Sequence, residues 1–117
     1  MQSEKLIFKV CSYSEWQNAE KTGVYTGAPV DAADGFIHFS TAAQLAETVK
    51  KHFAGQENLI VVAIPTAALG EALKWEPSRG GALFPHLYTD LSTAHALWTK
   101  PLPLVDGEHA LPELDQA

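Results

Sequence analysis

Near its middle the chain reads Leu59-Ile60-Val61-Val62-Ala63-Ile64, the longest apolar run in the 117-residue sequence. A run of this length suits a β-strand and falls far short of the roughly 18 residues that cross a bilayer. Because no polar residue alternates with the apolar ones, both faces of the strand must be buried, which is typical of a central strand. The sequence therefore predicts a sheet built around residues 59–64, with Pro65 at its end.

Shorter apolar segments on either side of this run predict the remaining strands. They lie at residues 6–10, 36–39, 72–76 and 96–104, and one helical turn is expected at 66–69. Pro101 and Pro103 mark the last strand as an edge or an exit, since proline cannot donate to a hydrogen-bond ladder. Residues 25–35 and 77–81 contain backbone-breaking Gly, Pro and Asp, and we expect both to be loops.

Two helices are marked by capping boxes, in which Ser or Thr is followed three residues later by Glu or Gln. Ser12 with Glu15 begins the first helix, and Gly23 can end it. Thr41 with Gln44 begins the second, and Gly55 can close it. The apolar faces predicted from the helical spacing are Trp16 and Ala19 in the first, and Ala42, Ala46, Val49 and Phe53 in the second.

Strands with two main helices and irregular connections predict a single compact α+β domain around a bent, mixed or antiparallel sheet. We place this domain at residues 1–105. Residues 106–117 contain acidic side chains and no Lys or Arg, and we expect them to form a flexible tail.

Composition narrows the function classes. The net charge is −6, with 46% hydrophobic and 19% charged residues, and Arg79 is the sole arginine. The absence of a basic face argues against nucleic-acid binding.

Cys11 is the only cysteine, so no internal disulfide forms, and we expect a buried, unreactive thiol. No signal peptide or membrane span is visible, so a cytoplasmic location is expected. The sequence does not indicate an oligomeric state.

Two histidine segments carry the candidate chemistry: Asp34-Gly35-Phe36-Ile37-His38-Phe39-Ser40-Thr41 and Phe84-Pro85-His86-Leu87-Tyr88. Imidazole changes its charge near neutral pH, so both are candidate acid–base groups. If Ile37 and Phe39 face the core, then His38 and Ser40 share the opposite face. Beside the helix start at Thr41, these residues suit an anion or a ribose. Alternatively, Ser40 or Thr41 only caps the helix and His38 is structural.

The second histidine follows Pro85, whose fixed φ restricts the approach of the imidazole of His86. The alternative is a packing motif that closes the sheet. Glu76 is either a functional carboxylate or a solvated strand end, and Arg79 could reach a phosphate. We expect His52, His95 and His109 on the surface. No spacing typical of a metal site, a phosphate-binding loop or a serine hydrolase is present.

The chain resembles the bacterial domain-of-unknown-function 952 (DUF952) family over roughly residues 5–105. The resemblance is carried by Ile7-Phe8-Lys9-Val10, Trp16, Gly23, Tyr25, Trp75-Glu76 and the two histidine segments. That family is thought to share the fold of the ADP-ribosyltransferases, a split β-sheet core that grips NAD. The resemblance thus implies an ADP-ribosyltransferase-like fold, with NAD as a substrate and no required cofactor.

Ile37-His38-Phe39-Ser40 is similar to a strand of the NAD-dependent RNA 2′-phosphotransferases. The resemblance implies that His38 contacts a ribose, with Ser40 and Thr41 beside it, and that His86 and Tyr88 form the opposite wall, with Arg79 near a phosphate. However, those enzymes have a histidine on the first strand, where this chain has Lys9. They also hold the RNA phosphate with several arginines, which argues against removal of RNA 2′-phosphates here.

Three functional hypotheses follow. The first is a domain that binds NAD, ADP-ribose or a related nucleotide, with His38 and His86 as catalytic residues for ADP-ribosyl transfer or hydrolysis. The second is a non-catalytic module that binds a small ligand or a protein. The third, which has the least support, is a metal-dependent hydrolase that uses the same two histidines.

Overall fold

Strand β4 (Leu59–Pro65) lies between β1 (Leu6–Ser12) and β8 (Trp98–Leu102) in a three-stranded antiparallel sheet. The structure is a computed structural model and describes residues 5–78 and 81–114. All six apolar residues at 59–64 are buried, so the predicted central strand is confirmed. Strand β8, which contains Pro101, lies at an edge, as its prolines predicted.

A second antiparallel sheet has the order β3-β6-β5 and consists of β3 (Ile37–His38), β6 (Ala82–Leu87) and β5 (Leu73–Ser78). The two sheets are joined where Phe8 N–H donates to the Ser40 carbonyl at 2.8 Å and Ser40 N–H donates to the Phe8 carbonyl at 2.9 Å. The core therefore differs from the single sheet that was predicted. It is divided into two sheets, and every strand pairing in the described residues is antiparallel.

Both predicted capping boxes are present. Helix α1 (Tyr13–Thr22) begins after Ser12 and ends at Gly23, which adopts φ 86°. The helix after Thr41 (Ala42–His52, α3 in chain order) ends at His52, and Phe53 rather than Gly55 caps it. Its buried face is also shifted from the prediction, because Leu45 is buried and Ala46 is exposed.

Residues 25–35 are not simply a loop, contrary to the prediction. Val24–Tyr25 form strand β2, and Pro29–Asp34 form the short helix α2. Pro29 occupies the start of α2, where its missing N–H costs nothing. The Asp31 carboxylate accepts a hydrogen bond from Ala28 N–H at 2.7 Å. A helix of this length is too short for apolar periodicity to reveal it.

Alternate residues of β4 contribute to two apolar clusters, one on each face of its sheet. Ile60, Val62 and Ile64 pack in a cluster with Trp16 of α1 and with residues of the second sheet. Leu59, Val61 and Ala63 pack in the other cluster, which α3 covers through Leu45 and Val49. Covering both faces explains why β4 has no polar position.

The remaining strands form two short antiparallel pairs: β2 with β7 (Leu91–Ser92), and β9 (Leu104–Val105) with β10 (Glu108–His109). Strand β10 and Leu114, which packs against the α3 side of the core, lie within the predicted tail. The flexibility of that tail stays a prediction. In the described ranges, no helix has the length and apolar character needed to cross a membrane.

Candidate functional site

His38 of β3 and His86 of β6 are directly opposite each other in the strand register. Their ring centroids are 5.5 Å apart and the rings meet edge to face. Both side chains line one cleft of about 570 Å³, which lies within the size range of small-molecule pockets. The structure thus brings together the two histidines that the sequence singled out.

The lining of the cleft is mixed. Its apolar residues include Val30, Phe53 and Phe84, and its polar residues include Lys9, Asp34, His38, Ser40 and His86. Apolar residues with a few polar groups are the usual composition of a small-molecule pocket.

Asp31 is a buried carboxylate that anchors His38. Its side chain is 1% exposed, and Oδ1 lies 2.6 Å from His38 Nδ1 while accepting from the His38 backbone N–H at 3.1 Å. Lys9 Nζ donates to Oδ2 at 2.8 Å from a side chain that is 5% exposed. Burial raises the pKa of Asp31, but the hydrogen bond from His38 and the charge of Lys9 outweigh it and hold the pKa well below its usual value. Asp31 therefore stays ionised, and its negative charge balances the positive charge of the buried Lys9.

Glu76 of β5 anchors His86 in the same way. Its Oε1 lies 2.8 Å from His86 Nδ1 and accepts from the Tyr88 hydroxyl at 2.7 Å. The hydrogen bonds from His86 and from Tyr88 lower the pKa of Glu76, and the same contact raises the pKa of Tyr88. Glu76 thus acts as an acceptor and Tyr88 as a neutral donor. Glu76 therefore has two side-chain partners and is more than a solvated strand end, while its functional role stays a prediction.

Phe36 packs against the rings of all three neighbouring aromatic residues. It stacks on His86 at 4.1 Å between centroids, and its ring lies 4.6 Å from His38 and 5.2 Å from Tyr88. Offset and tilted ring contacts of this kind hold side chains in defined orientations. Phe36 therefore restricts the orientation of both imidazole rings.

The other predicted site residues take different positions. Ser40 lines the cleft, and its hydroxyl is 2.8 Å from that of Thr48. Thr41 caps α3 and is not among the residues that line the cleft, and its predicted contact with a ligand stays a prediction. Tyr88 lies outside the lining and contacts the site through Glu76. Arg79 lies outside the described residues. Among the histidines expected on the surface, His52 and His95 are exposed, and His52 also lines the cleft.

The sequence did not identify Asp31 and Asp34 as site residues, and it did not show that Lys9 pairs with Asp31. Lys9 interrupts an apolar strand and is buried, so it needs a carboxylate partner. The need for a carboxylate near Lys9 could have been noticed in the sequence. However, residues 25–35 were predicted to be a loop, so the helix that contains Asp31 was not expected.

No group of three or more His, Cys, Asp or Glu side chains in residues 5–78 and 81–114 is arranged to hold a metal ion. The part of the chain that the structure describes therefore offers no metal centre on which the third hypothesis could build.

Comparisons with known proteins identify relatives without adding an activity. A protein-family model described as "Protein of unknown function (DUF952)" matches residues 10–99. The crystal structure of protein CC0527 from Caulobacter crescentus is 47% identical, with a TM-score of 0.86 over 90% of this chain and 93% of that chain. Its solution NMR structure is 46% identical, with a TM-score of 0.80 over 89% and 90% of the two chains. No curated protein gives a significant match.

Proposed function

The chain belongs to the DUF952 family, and we propose that its cleft binds a nucleotide-like small molecule, which His38 positions and on which His86 acts as a general base. The observation that carries the proposal is the pair of opposed imidazoles, each held at Nδ1 by its own carboxylate, on the wall of a single cleft.

The carboxylates define which ring nitrogen is reactive. Ionised Asp31 and Glu76 can only accept hydrogen bonds, so Nδ1 of each histidine carries a proton. An Nε2 atom without a protein partner is then left to exchange protons with a ligand, which is how an oriented histidine acts as a general acid or base. In the described residues, no side chain or backbone group hydrogen-bonds to Nε2 of His86. We assign His86 Nε2 as the base.

The two histidines have different surroundings, as a pair with separate roles requires. The carboxylate of Asp31 is buried and paired with Lys9, whereas the side chain of Glu76 is 38% exposed and is shared with Tyr88. His38 also contacts Asp34 through Nε2. We assign His38 to ligand positioning through a charged or polar group.

The resemblance to ADP-ribosyltransferases names the ligand class, NAD or ADP-ribose. With NAD, water attacks the ribose carbon bonded to nicotinamide, and its proton passes to His86 Nε2. The carbon–nitrogen bond breaks, and its electron pair neutralises the pyridinium ring, so nicotinamide leaves uncharged. The cleft volume and the aromatic side chains in its lining suit such a ligand.

Isothermal titration of the folded protein with NAD, ADP-ribose and nicotinamide tests the proposal. We expect at least one nucleotide to bind, and His38→Gln and His86→Gln each to weaken binding by about tenfold or more, equivalent to about 1.4 kcal/mol. His95→Gln is the matched control, because this histidine is exposed and lies outside the cleft. Absence of binding at millimolar NAD and ADP-ribose would sink the proposal.

A non-catalytic binding module is the second candidate. One observation favours it: both ring nitrogens of His38 already have carboxylate partners, Asp31 and Asp34. Release of nicotinamide from NAD, followed by chromatography, separates the two candidates. Turnover that disappears in His86→Gln supports the enzyme, while binding without turnover supports the module.

A further inference from the structure

Asp34 places a carboxylate oxygen against the histidine pair from inside the cleft. Its Oδ2 is 3.0 Å from His38 Nε2, and the Asp34 side chain is 49% exposed. Both residues line the cleft. The contact therefore occupies the ring atom that a ligand of the proposed site would have to reach.

The two ring nitrogens of His38 face different carboxylates. Asp31 is ionised, so the proton between it and the ring lies on His38 Nδ1. Asp34 Oδ2 approaches the other ring nitrogen, Nε2, to 3.0 Å as an ion-pair contact. A carboxylate oxygen thus already lies at the ring nitrogen that Asp31 does not contact.

The charges behind the ring are compatible with this arrangement. Lys9 of β1 neutralises Asp31, so the buried pair adds no net charge toward the cleft. His86, from β6, meets the His38 ring edge to face, and Glu76 is hydrogen-bonded to His86. An anion at His38 Nε2 therefore meets no uncompensated negative charge from Asp31.

We propose that Asp34 is a built-in occupant of the ligand position at His38, and that the ligand displaces it with an anionic oxygen of a phosphate or carboxylate group. The position already accepts a carboxylate oxygen, which shows that an anion suits both its space and its charge. The proposal rests on the proposed function and adds the chemistry of the group that enters first.

Asp34 is placed so that it can leave. It is the last residue of α2, its side chain is half exposed, and rotation of that side chain alone removes it from His38. Asp31, by contrast, is buried and holds contacts to Lys9, Ala28 and His38. Only one of the two carboxylates on His38 is therefore exchangeable.

The test is binding of inorganic phosphate and of acetate, followed by NMR, to the wild type, Asp34→Asn and Asp34→Ala. We expect Asp34→Ala to bind at least one anion about tenfold more tightly than the wild type, and Asp34→Asn to gain less, because its amide still occupies Nε2. The anion that gains more identifies the source as phosphate or carboxylate. Asp90→Ala, which removes the same charge from an exposed position outside the cleft, should bind like the wild type.

Adding His38→Gln to Asp34→Ala should abolish the gain. The proposal is overturned if folded Asp34→Ala binds neither anion more tightly, if Asp34→Asn gains as much as Asp34→Ala, or if the gain survives without His38. A gain in Asp34→Ala together with no binding of NAD or ADP-ribose would overturn the proposed nucleotide ligand and leave the anion position standing.

Discussion

His38 and His86 face each other across the β3–β6 pairing, with their ring centroids 5.5 Å apart. Each has a carboxylate at Nδ1, and the two carboxylates come from different parts of the chain. Asp31 comes from the short helix α2, and Glu76 comes from β5, the strand on the far side of β6 from β3. The histidines are therefore positioned by strand register, while their ring orientations are set by independent groups. This independence allows the two halves to be tested separately.

Removing the carboxylate of Glu76 should change the tautomer of His86. We expect Glu76→Ala to shift His86 from the Nδ1–H form toward the Nε2–H form, since no anion then favours a proton on Nδ1. Nitrogen-15 NMR of the imidazole measures the two forms. Tyr88→Phe is the control, because it removes the Tyr88 hydroxyl and keeps the Glu76 contact with His86. An unchanged tautomer in Glu76→Ala would contradict the anchoring role.

Truncating Phe36 should loosen both histidines at once. In Phe36→Leu the stacking on His86 and the tilted contact with His38 are lost, at a cost of about 0.5–1.5 kcal/mol in the free energy of unfolding. Urea unfolding measures this cost, and ligand titration should show weaker binding in the same variant. Equal stability and equal binding of Phe36→Leu and the wild type would mean that the ring contacts do not order the site.

The central strand could be predicted from sequence because six consecutive apolar residues leave no alternative to burial on both faces. The period-two alternation around His38 placed His38 and Ser40 on one face on the condition that Ile37 and Phe39 face the core, and both of these residues are buried. Both capping boxes were identified because their hydrogen bonds connect residues three apart. Each of these features is local.

The features that sequence could not supply are long-range. The pairing of His38 with His86 depends on the register of β3 and β6, and the contact between Lys9 and Asp31 depends on how α2 packs against β1. A one-residue change of register would point one histidine to the opposite face. Only the need of buried Lys9 for a counter-charge could have pointed to Asp31.

Cys11 should be unreactive until the protein unfolds. Burial raises the pKa of its thiol to about 12, and the side chain is 2% exposed, so both thiolate and access are lacking. We expect a disulfide reagent to label Cys11 in urea and to leave it unlabelled under native conditions over the same period. Rapid labelling of the folded protein would show that the end of β1 opens.

Replacing only one partner of the buried Lys9–Asp31 ion pair should lower the free energy of unfolding more than replacing both partners. Asp31→Asn leaves the charge of Lys9 buried and unpaired, and we expect a loss of about 3–5 kcal/mol in the free energy of unfolding. Lys9→Met combined with Asp31→Asn should recover part of that loss, because no unpaired charge remains. Urea unfolding of both variants gives the comparison. A double variant less stable than Asp31→Asn would contradict this account of the pair.

The free energy of unfolding should decrease in acid because the carboxylate of Asp31 becomes protonated. The pKa of Asp31 is held below its usual value in the folded protein, so near the unfolded-state value of about 3.9 the unfolded chain binds more protons, and stability rises with pH. The contribution of Asp31 is complete above about pH 5 and is lost progressively as the pH falls below about 4 toward the depressed pKa of the folded protein. Urea unfolding across this range should therefore give a steeper pH dependence for the wild type than for Lys9→Met with Asp31→Asn, which lacks the titrating group. Parallel profiles for the two proteins would show that Asp31 does not couple protonation to folding.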